Sequence, residues 1–180
     1  MTLVLVSPPD PLISLAYAKS QLRVDTTDDD VIIQLYIDAA TSRLDGPNGI
    51  LGKAFSTQTW SITLDGFTDQ IDLPVEPVDS VNSVTYFDSD NLETVMDPGD
   101  YYLQGNSLYA SSSWPAIYSG SKVTIEWVSG SSEVNPQVQI AAMLIVGHLY
   151  RNREATTAEN MKELPMGVYD IVSNVRKVIV

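Results

Sequence analysis

The side chain that most often serves as a catalytic base occurs once in this chain, as His148. It lies in an apolar stretch near Tyr150 and Arg151, with no acid within one helical turn. A histidine needs an oriented partner to act as a base, and the sequence has no G-x-S-x-G nucleophile motif. The absence of cysteine excludes thiol nucleophiles, disulfides and cysteine-bound zinc. We therefore predict that the protein is not an enzyme and that His148 serves packing or an interface.

Two short segments have the composition of ion-binding sites. Residues 88–93 (DSDNLE) hold three carboxylates, but Leu and Glu stand where a calcium-binding EF-hand loop has Asp or Asn and then Gly. Residues 46–53 (GPNGILGK) are rich in glycine, but they follow a predicted helix and no Ser or Thr follows the lysine. We interpret the first segment as a hairpin turn and predict no phosphate site in the second. The sequence thus predicts no metal and no cofactor.

The charge of the chain is strongly negative and unevenly distributed. Acids outnumber bases 23 to 10, which gives a net charge of −13. Ten of the acids lie between Lys53 and Lys122, an interval without any basic residue, whereas residues 151–180 hold five bases and four acids. Most of the ten stand beside turn-forming residues, so no pair is singled out as a general acid and base. This balance argues against a protein that grips nucleic acid or anionic lipid.

The length of 180 residues suits a single domain with a real hydrophobic core. The apolar run at residues 3–6 has no basic flank and stops at a proline-rich segment, so we do not interpret it as a signal peptide. The longest apolar stretch, residues 138–150, is too short to span a bilayer. We expect a soluble, intracellular protein.

Helical periodicity is confined to the two ends of the chain. Residues 12–22 predict a helix that Ser14 can cap. A second helix is predicted from Thr27, where residues 27–30 (TDDD) fit a capping box, to residues 45–47. Its predicted packed positions are Val31, Leu35, Ile37, Ala39 and Leu44. Asn135 and Pro136 predict the start of a third helix, which extends to about Asn152, and residues 166–175 predict a fourth.

Between the helices the pattern changes to that of strands. Alternating residues predict strands at 60–64, 81–87, 101–103 and 123–128, separated by Asp, Gly, Pro and Ser turn signals. The predicted fold class is therefore α+β, a small bundle of about four helices interrupted by an antiparallel β-rich insertion. The predicted organisation is a single domain over residues 1–180, with the following parts: helices at 12–46, the β-rich insertion at 55–130, helices at 135–175 and a tail at 176–180.

Two features suit an interface. The helix at 138–150 is apolar on most of its faces, so it is buried either in its own core or against another subunit. The tail places three β-forming residues, Val178–Ile179–Val180, behind two bases. It either frays or docks on a partner's sheet edge.

Taken in order, a set of segments resembles the tailed-phage head–tail connector family, whose members are adaptor or head-completion proteins. The segments are LAYAKSQLRV at 15–24, DDD at 28–30, QTW at 58–60, LDGF at 64–67, PV at 77–78, residues 81–88, DYY at 100–102, WP at 114–115, the helix at 136–154 with HLYRNRE at its end, and LPMGV at 164–168. They span nearly the whole chain.

The resemblance implies structural work in a virion. Similar proteins form a dodecameric ring under the portal, extend the DNA channel and dock the stopper or tail-completion protein. It implies a protein made in the host bacterial cytoplasm and located at the head–tail interface, with double-stranded DNA passing through without specific binding and with no membrane contact. Candidate portal-binding residues are Val175, Arg176, Lys177, Val178, Ile179 and Val180. Candidate ring-interface residues are Met143, Leu144, Ile145 and His148. Candidate channel- or tail-facing acids are Asp65, Asp69, Asp72, Asp88, Asp90 and Glu93.

A second function remains open from the residues alone. Trp60, Trp114 and Trp127 could stack on sugars, which would make the β-rich insertion a tail or baseplate module that binds a receptor glycan or another tail protein. The same residues could instead fill the core of the insertion. A hydrolase is the third reading.

Overall fold

A computed structural model describes residues 1–153 and 166–175, apart from the side chain of Met166. The chain divides into two compact units. One, the β unit, consists of Met1–Pro8 and Thr57–Ser131. The other, the helical unit, consists of Pro9–Ser56 and Ser132–Val180. The α+β fold class predicted from the sequence is confirmed.

The helical unit contains four helices among its described residues: α1 (Leu15–Leu22), α2 (Asp30–Leu44), α3 (Pro136–Arg151) and α4 (Met166–Val172). Ser14 caps α1 as predicted, because its hydroxyl accepts a hydrogen bond from the Tyr17 amide at 3.2 Å. Asn135 caps α3 in the same way through the Gln137 amide at 2.8 Å.

The predicted capping box at Thr27 is wrong. Helix α2 begins three residues later, at Asp30, and its N-cap Asp29 makes no side-chain capping bond. The Asp29 carboxylate instead bonds to the end of α3, through the hydroxyl of Tyr150 and the guanidinium of Arg153. A long-range contact therefore replaces the local cap at this helix start.

The helices pack around one core that contains Ile33, Ile37, Leu44, Val138 and Ile145, all at most 3% exposed. This buried face of α2 differs in part from the predicted one. Val31 is 77% exposed and Leu35 57% exposed, so neither residue packs in the core. On α3 the buried stripe leaves Ile140 and Leu144 exposed on another face.

The β unit contains two antiparallel sheets. The first has five strands in the order β1-β2-β8-β4-β5, and the second has three in the order β3-β7-β6. The strands are β1 (Thr2–Ser7), β2 (Gln58–Leu64), β3 (Ile71–Asp72), β4 (Val78–Phe87), β5 (Glu93–Val95), β6 (Tyr101–Gln104), β7 (Ser107–Ala110) and β8 (Val123–Ser129). A short 3₁₀ turn at Pro98–Asp100 precedes β6.

The central strands alternate between buried and solvent-facing residues, as the sequence pattern predicts. Trp60 pairs with Trp127 and Ile62 with Ile125 across β2 and β8, and all four are buried. The indole N–H of Trp127 donates to the Ser129 hydroxyl at 2.8 Å. The buried indole of Trp127 therefore has its hydrogen-bond partner within the core of the β unit.

Strand β1 is absent from the sequence-based prediction. Residues 2–7 pair antiparallel with β2 at the edge of the larger sheet, and all six are exposed. The β unit therefore includes the start of the chain as well as the predicted insertion.

Candidate interaction surfaces

The positions with catalytic or ligand-binding residue types serve structural contacts. His148 is exposed on α3, and the contact of its ring is with Asn152, at 3.4 Å between Nδ1 and the amide nitrogen. Among the described residues no carboxylate bonds to this ring. The histidine has no acid partner there that would orient it for catalysis.

The hairpin turn predicted at residues 88–93 forms between β4 and β5, and Glu93 is the first residue of β5. One carboxylate oxygen of Asp88 accepts the amides of Asp90 and Leu92 at 2.9 and 3.0 Å, and Asn91 adopts a left-handed conformation with φ of 61°. Asp88 thus acts as a turn-forming residue. In the described ranges, 1–153 and 166–175, no group of three His, Asp or Glu residues is arranged to hold a metal ion.

The glycine-rich loop folds around the protein's own carboxylate. Asp45 is 5% exposed and accepts the amides of Gly46, Phe55 and Ser56 at 2.8, 2.7 and 3.0 Å. A Cβ at Gly49 would stand 2.4 Å from the Asp45 carbonyl oxygen, so only glycine fits there. The amides at Asp45 are consequently engaged by the protein itself and do not form a phosphate cradle.

The candidate acids of the β unit fall into two groups. The first group, whose carboxylates contact neighbouring residues, consists of Asp65, Asp72 and Asp88. Asp65 forms an ion pair with Lys122 and lies 4.0 Å from the terminal amine. Asp72 accepts a hydrogen bond from the hydroxyl of Ser107 at 2.6 Å. The Lys122 ammonium lowers the pKa of Asp65, and the Ser107 hydroxyl followed by the Gln70 amide lowers the pKa of Asp72. Asp65 and Asp72 therefore stay ionised at neutral pH.

The second group consists of Asp69, Asp90 and Glu93. All three are exposed, and their side chains make no hydrogen bond or ion pair within the described part of the chain. The β unit has eleven acids and one lysine, a net charge of −10, against −3 for the helical unit, where twelve acids meet nine bases. The negative charge of the protein is therefore concentrated on the β unit.

The four candidate ring-interface residues occupy different environments on α3. Ile145 is 3% exposed and belongs to the helical core, whereas Met143 is half-buried. Leu144 and His148, one turn apart, are exposed. The exposed positions of this helix thus include Leu144 and His148, together with Ile140.

A groove of about 790 Å³ lies in the helical unit beside this exposed face. Its lining includes Arg43, Asn48, Ile50, Ile145, His148 and Leu149. We call this feature the α2–α3 groove. Its lining combines apolar side chains with an arginine and a histidine.

Tyr150 and Arg153, at the C-terminal end of α3, bond to Asp29 at the start of α2. The hydrogen bond from the Tyr150 hydroxyl, followed by that from Arg153 at 2.8 Å, lowers the pKa of Asp29. The Arg153 guanidinium also lies 4.5 Å from the centre of the Tyr150 ring. This cluster orients the last turn of α3.

The candidate portal-binding segment is described only at its first residue. Val175 packs against the helical core and is half-buried. Residues 176–180 lie outside the described residues. None of the helices in the described ranges has the length and hydrophobicity needed to span a bilayer.

The tryptophans are largely unavailable for sugar stacking. Trp127 is fully buried and Trp60 is 8% exposed. Trp114 stacks face to face on Phe67, with ring centroids 4.6 Å apart. Two of the three therefore fill the core of the β unit, and the third covers an aromatic neighbour.

Comparison with known proteins identifies a family that the chain resembles. Residues 12–97 match the family of phage gp6-like head–tail connector proteins, which confirms the resemblance identified in the sequence. No curated protein matches the chain.

Three solved structures of a gene transfer agent (GTA) particle contain chains of the same fold. The neck of an empty GTA particle, computed with C6 symmetry, matches with a TM-score of 0.75 at 23% identity. The virion of the native particle matches with a TM-score of 0.67 at 21% identity. The neck of the native particle, computed with C12 symmetry, matches with a TM-score of 0.65 at 23% identity. Each match covers 100% of this chain and 97% of the other. The two-unit architecture is thus shared over its full length.

Proposed function

We propose that this protein is a structural head–tail connector that forms a ring under the portal of a tailed phage or related particle. In that position it extends the DNA channel and docks the stopper or tail-completion protein. The observation that carries the proposal is the connector-family match over residues 12–97, together with a fold match over the whole chain to necks of GTA particles. The C6 and C12 symmetries of those necks support a ring, and twelve copies satisfy both.

The charge distribution is compatible with a DNA conduit. Each phosphate neutralised by Lys or Arg adds salt-dependent affinity, which would retard DNA passage. A β unit with net charge −10 repels the duplex. We assign Asp65, Asp69 and Asp72 to the channel wall or to the tail-side contact.

Neutralising part of this surface tests the assignment. Asp69→Asn with Asp72→Asn should leave ring assembly intact and increase DNA retention at low salt, because screening removes the repulsion as salt rises. Asp38→Asn, an exposed acid of the helical unit, is the matched control. Equal DNA retention in all three proteins would contradict the assignment.

For the portal contact we propose the segment that begins at Val175. Val175 itself packs on the helical core, so the informative deletion removes only residues 176–180. It should abolish portal binding while far-UV circular dichroism stays unchanged. A variant with five Gly and Ser residues in their place separates the sequence requirement from the length. Undiminished binding by the deletion would place the contact elsewhere.

Negative-stain electron microscopy of the protein mixed with the portal ring of the same particle tests the function as a whole. An added layer coaxial with the portal is the expected result. The absence of a layer, with both proteins folded, would overturn the connector role. Binding to a glycan array would then favour the recognition module, which the burial of Trp60 and Trp127 disfavours.

A further inference from the structure

The α2–α3 groove has an unsatisfied positive charge at its rim. Arg43 is exposed, and within the described residues no acid lies within ion-pair distance of its guanidinium. His148, across the groove, is also exposed and has Asn152 as its neighbour. The floor between them is apolar and includes Ile50 and Leu149. An occupant should therefore present an apolar side chain flanked by carboxylates.

The turn between β4 and β5 has this composition. Leu92 is 66% exposed at the turn, so its apolar side chain is available for a contact with another copy. It stands between Asp90 and Glu93, whose carboxylates have no partner in the described parts of the chain. The Asp88 carboxylate holds the turn through two backbone amides, so the three side chains are presented on an ordered support.

We propose that the β4–β5 turn of one copy docks in the α2–α3 groove of the next copy. Leu92 lies on the apolar floor, and Asp90 and Glu93 face Arg43 and His148. The inference rests on the proposed ring, because a ring needs two different patches on each subunit that meet head to tail. It assigns Asp90 and Glu93 to the contact between copies instead of the DNA channel.

A rival occupant is the exposed stripe of α2, where Val31 and Leu35 also lie near acids. Three of those acids are already engaged: Asp29 with Arg153 at 2.8 Å, Asp30 with Lys19 at 2.5 Å and Asp38 with the Gln34 amide at 2.9 Å. Docking the stripe would bring one carboxylate, that of Asp28, without a partner in the described parts of the chain. The turn, in contrast, supplies two, so charge complementarity favours it.

Introduced cysteines test the contact directly, because the chain has none of its own. Asn48 is exposed at the groove, so Leu92→Cys with Asn48→Cys places one thiol on each side of the proposed junction. After oxidation on the portal ring, or alone at high concentration, this double variant should give a ladder of covalent oligomers. A mixture of the two single variants should give the crossed dimer and nothing larger.

Two matched controls identify the surface. Val31→Cys with Asn48→Cys probes the α2 stripe, and Val4→Cys with Asn48→Cys probes an exposed valine elsewhere on the β unit. Neither pair should cross-link. A ladder from the Val31 pair would overturn the proposal in favour of a helix in the groove.

Charge reversal tests the electrostatic part by sedimentation. Arg43→Glu should weaken association roughly tenfold, which corresponds to about 1.4 kcal/mol. Adding Glu93→Arg should restore most of the loss. Leu92→Ser should also weaken association, whereas Val4→Ser should not, and both sites are exposed enough that folding is unaffected.

The outcomes separate this contact from the function on which it rests. A ring that assembles on the portal without a Leu92–Asn48 cross-link, or without rescue by the reversed pair, overturns the contact and leaves the connector role intact. A protein that stays monomeric both alone and with the portal overturns the ring and the contact together.

Discussion

The substitution Asp45→Ala tests whether a buried carboxylate organises the glycine-rich loop. Three backbone amides donate to this side chain, those of Gly46, Phe55 and Ser56, at 2.7 to 3.0 Å. Alanine leaves these donors without their acceptor. A buried donor left unsatisfied costs about 1–3 kcal/mol. Phe55 is partly exposed and can be rehydrated, so we take the lower end for each and expect a loss of about 3 kcal/mol.

The chain allows each unit to be followed separately. All three tryptophans lie in the β unit, so their fluorescence reports its unfolding, while far-UV circular dichroism is dominated by the helices. In urea, Asp45→Ala should shift the dichroism transition to lower concentration. Asp45→Asn, which retains one acceptor oxygen, should lose about half as much free energy of unfolding. A loss below about 1 kcal/mol for the alanine variant would refute the reasoning.

Three further predictions concern single contacts. Hydrogen bonds from Tyr150 and Arg153 hold the pKa of Asp29 below its ordinary value of 3.8. The stability that this cluster contributes is therefore fully present above about pH 4, and it is lost as the pH falls through the lowered pKa. Urea titrations should show less acid destabilisation in Asp29→Asn than in the wild type, and parallel pH profiles would contradict the cluster. Gly49→Ala should cost about 2 kcal/mol or more by thermal unfolding, because its Cβ would meet backbone oxygen at 2.4 Å. Gly147→Ala should instead raise the free energy of unfolding by about 1 kcal/mol, because Gly147 lies on α3 and its Cβ would meet nothing within 4 Å. Equal effects at both sites would exclude the steric explanation. Ile125→Ala should cost about 3 kcal/mol in the fluorescence transition, since the side chain is fully buried, and a cost below about 1 kcal/mol would show that the sheet face is loosely packed.

Local patterns predicted the elements whose determinants lie close together in sequence. Ser14 and Asn135 mark the starts of α1 and α3 because a capping side chain acts on an amide two or three residues away. Alternation predicted the central strands β2 and β8, since one face of each is buried. The turn at residues 88–93 was predicted from Asp and Asn, whose side chains bond to the backbone within the turn itself.

Elements that depend on distant partners were missed or misplaced. Strand β1 shows no buried alternation, because it lies at a sheet edge with all six residues exposed, and only its pairing with β2 defines it. The predicted capping box is wrong because its acid, Asp30, pairs with Lys19, while the actual N-cap, Asp29, bonds to Tyr150 and Arg153, more than a hundred residues away in sequence. Val31 and Leu35 fit a helical apolar pattern, but periodicity cannot tell a face buried in the core from an exposed one.

The same division holds for the candidate surfaces. The amino-acid sequence by itself determined the excess of acid in the middle of the chain, the lack of cysteine, the isolation of the single histidine and the family resemblance, because each depends on residue type and order alone. Tertiary structure alone decided that Ile145 is core while Leu144 and His148 are exposed, and that Arg43 stands at a groove without an acid partner among the described residues. Burial and ion pairing depend on which residues the fold brings within a few ångströms, and neighbours in space such as Arg43 and His148 are far apart along the chain.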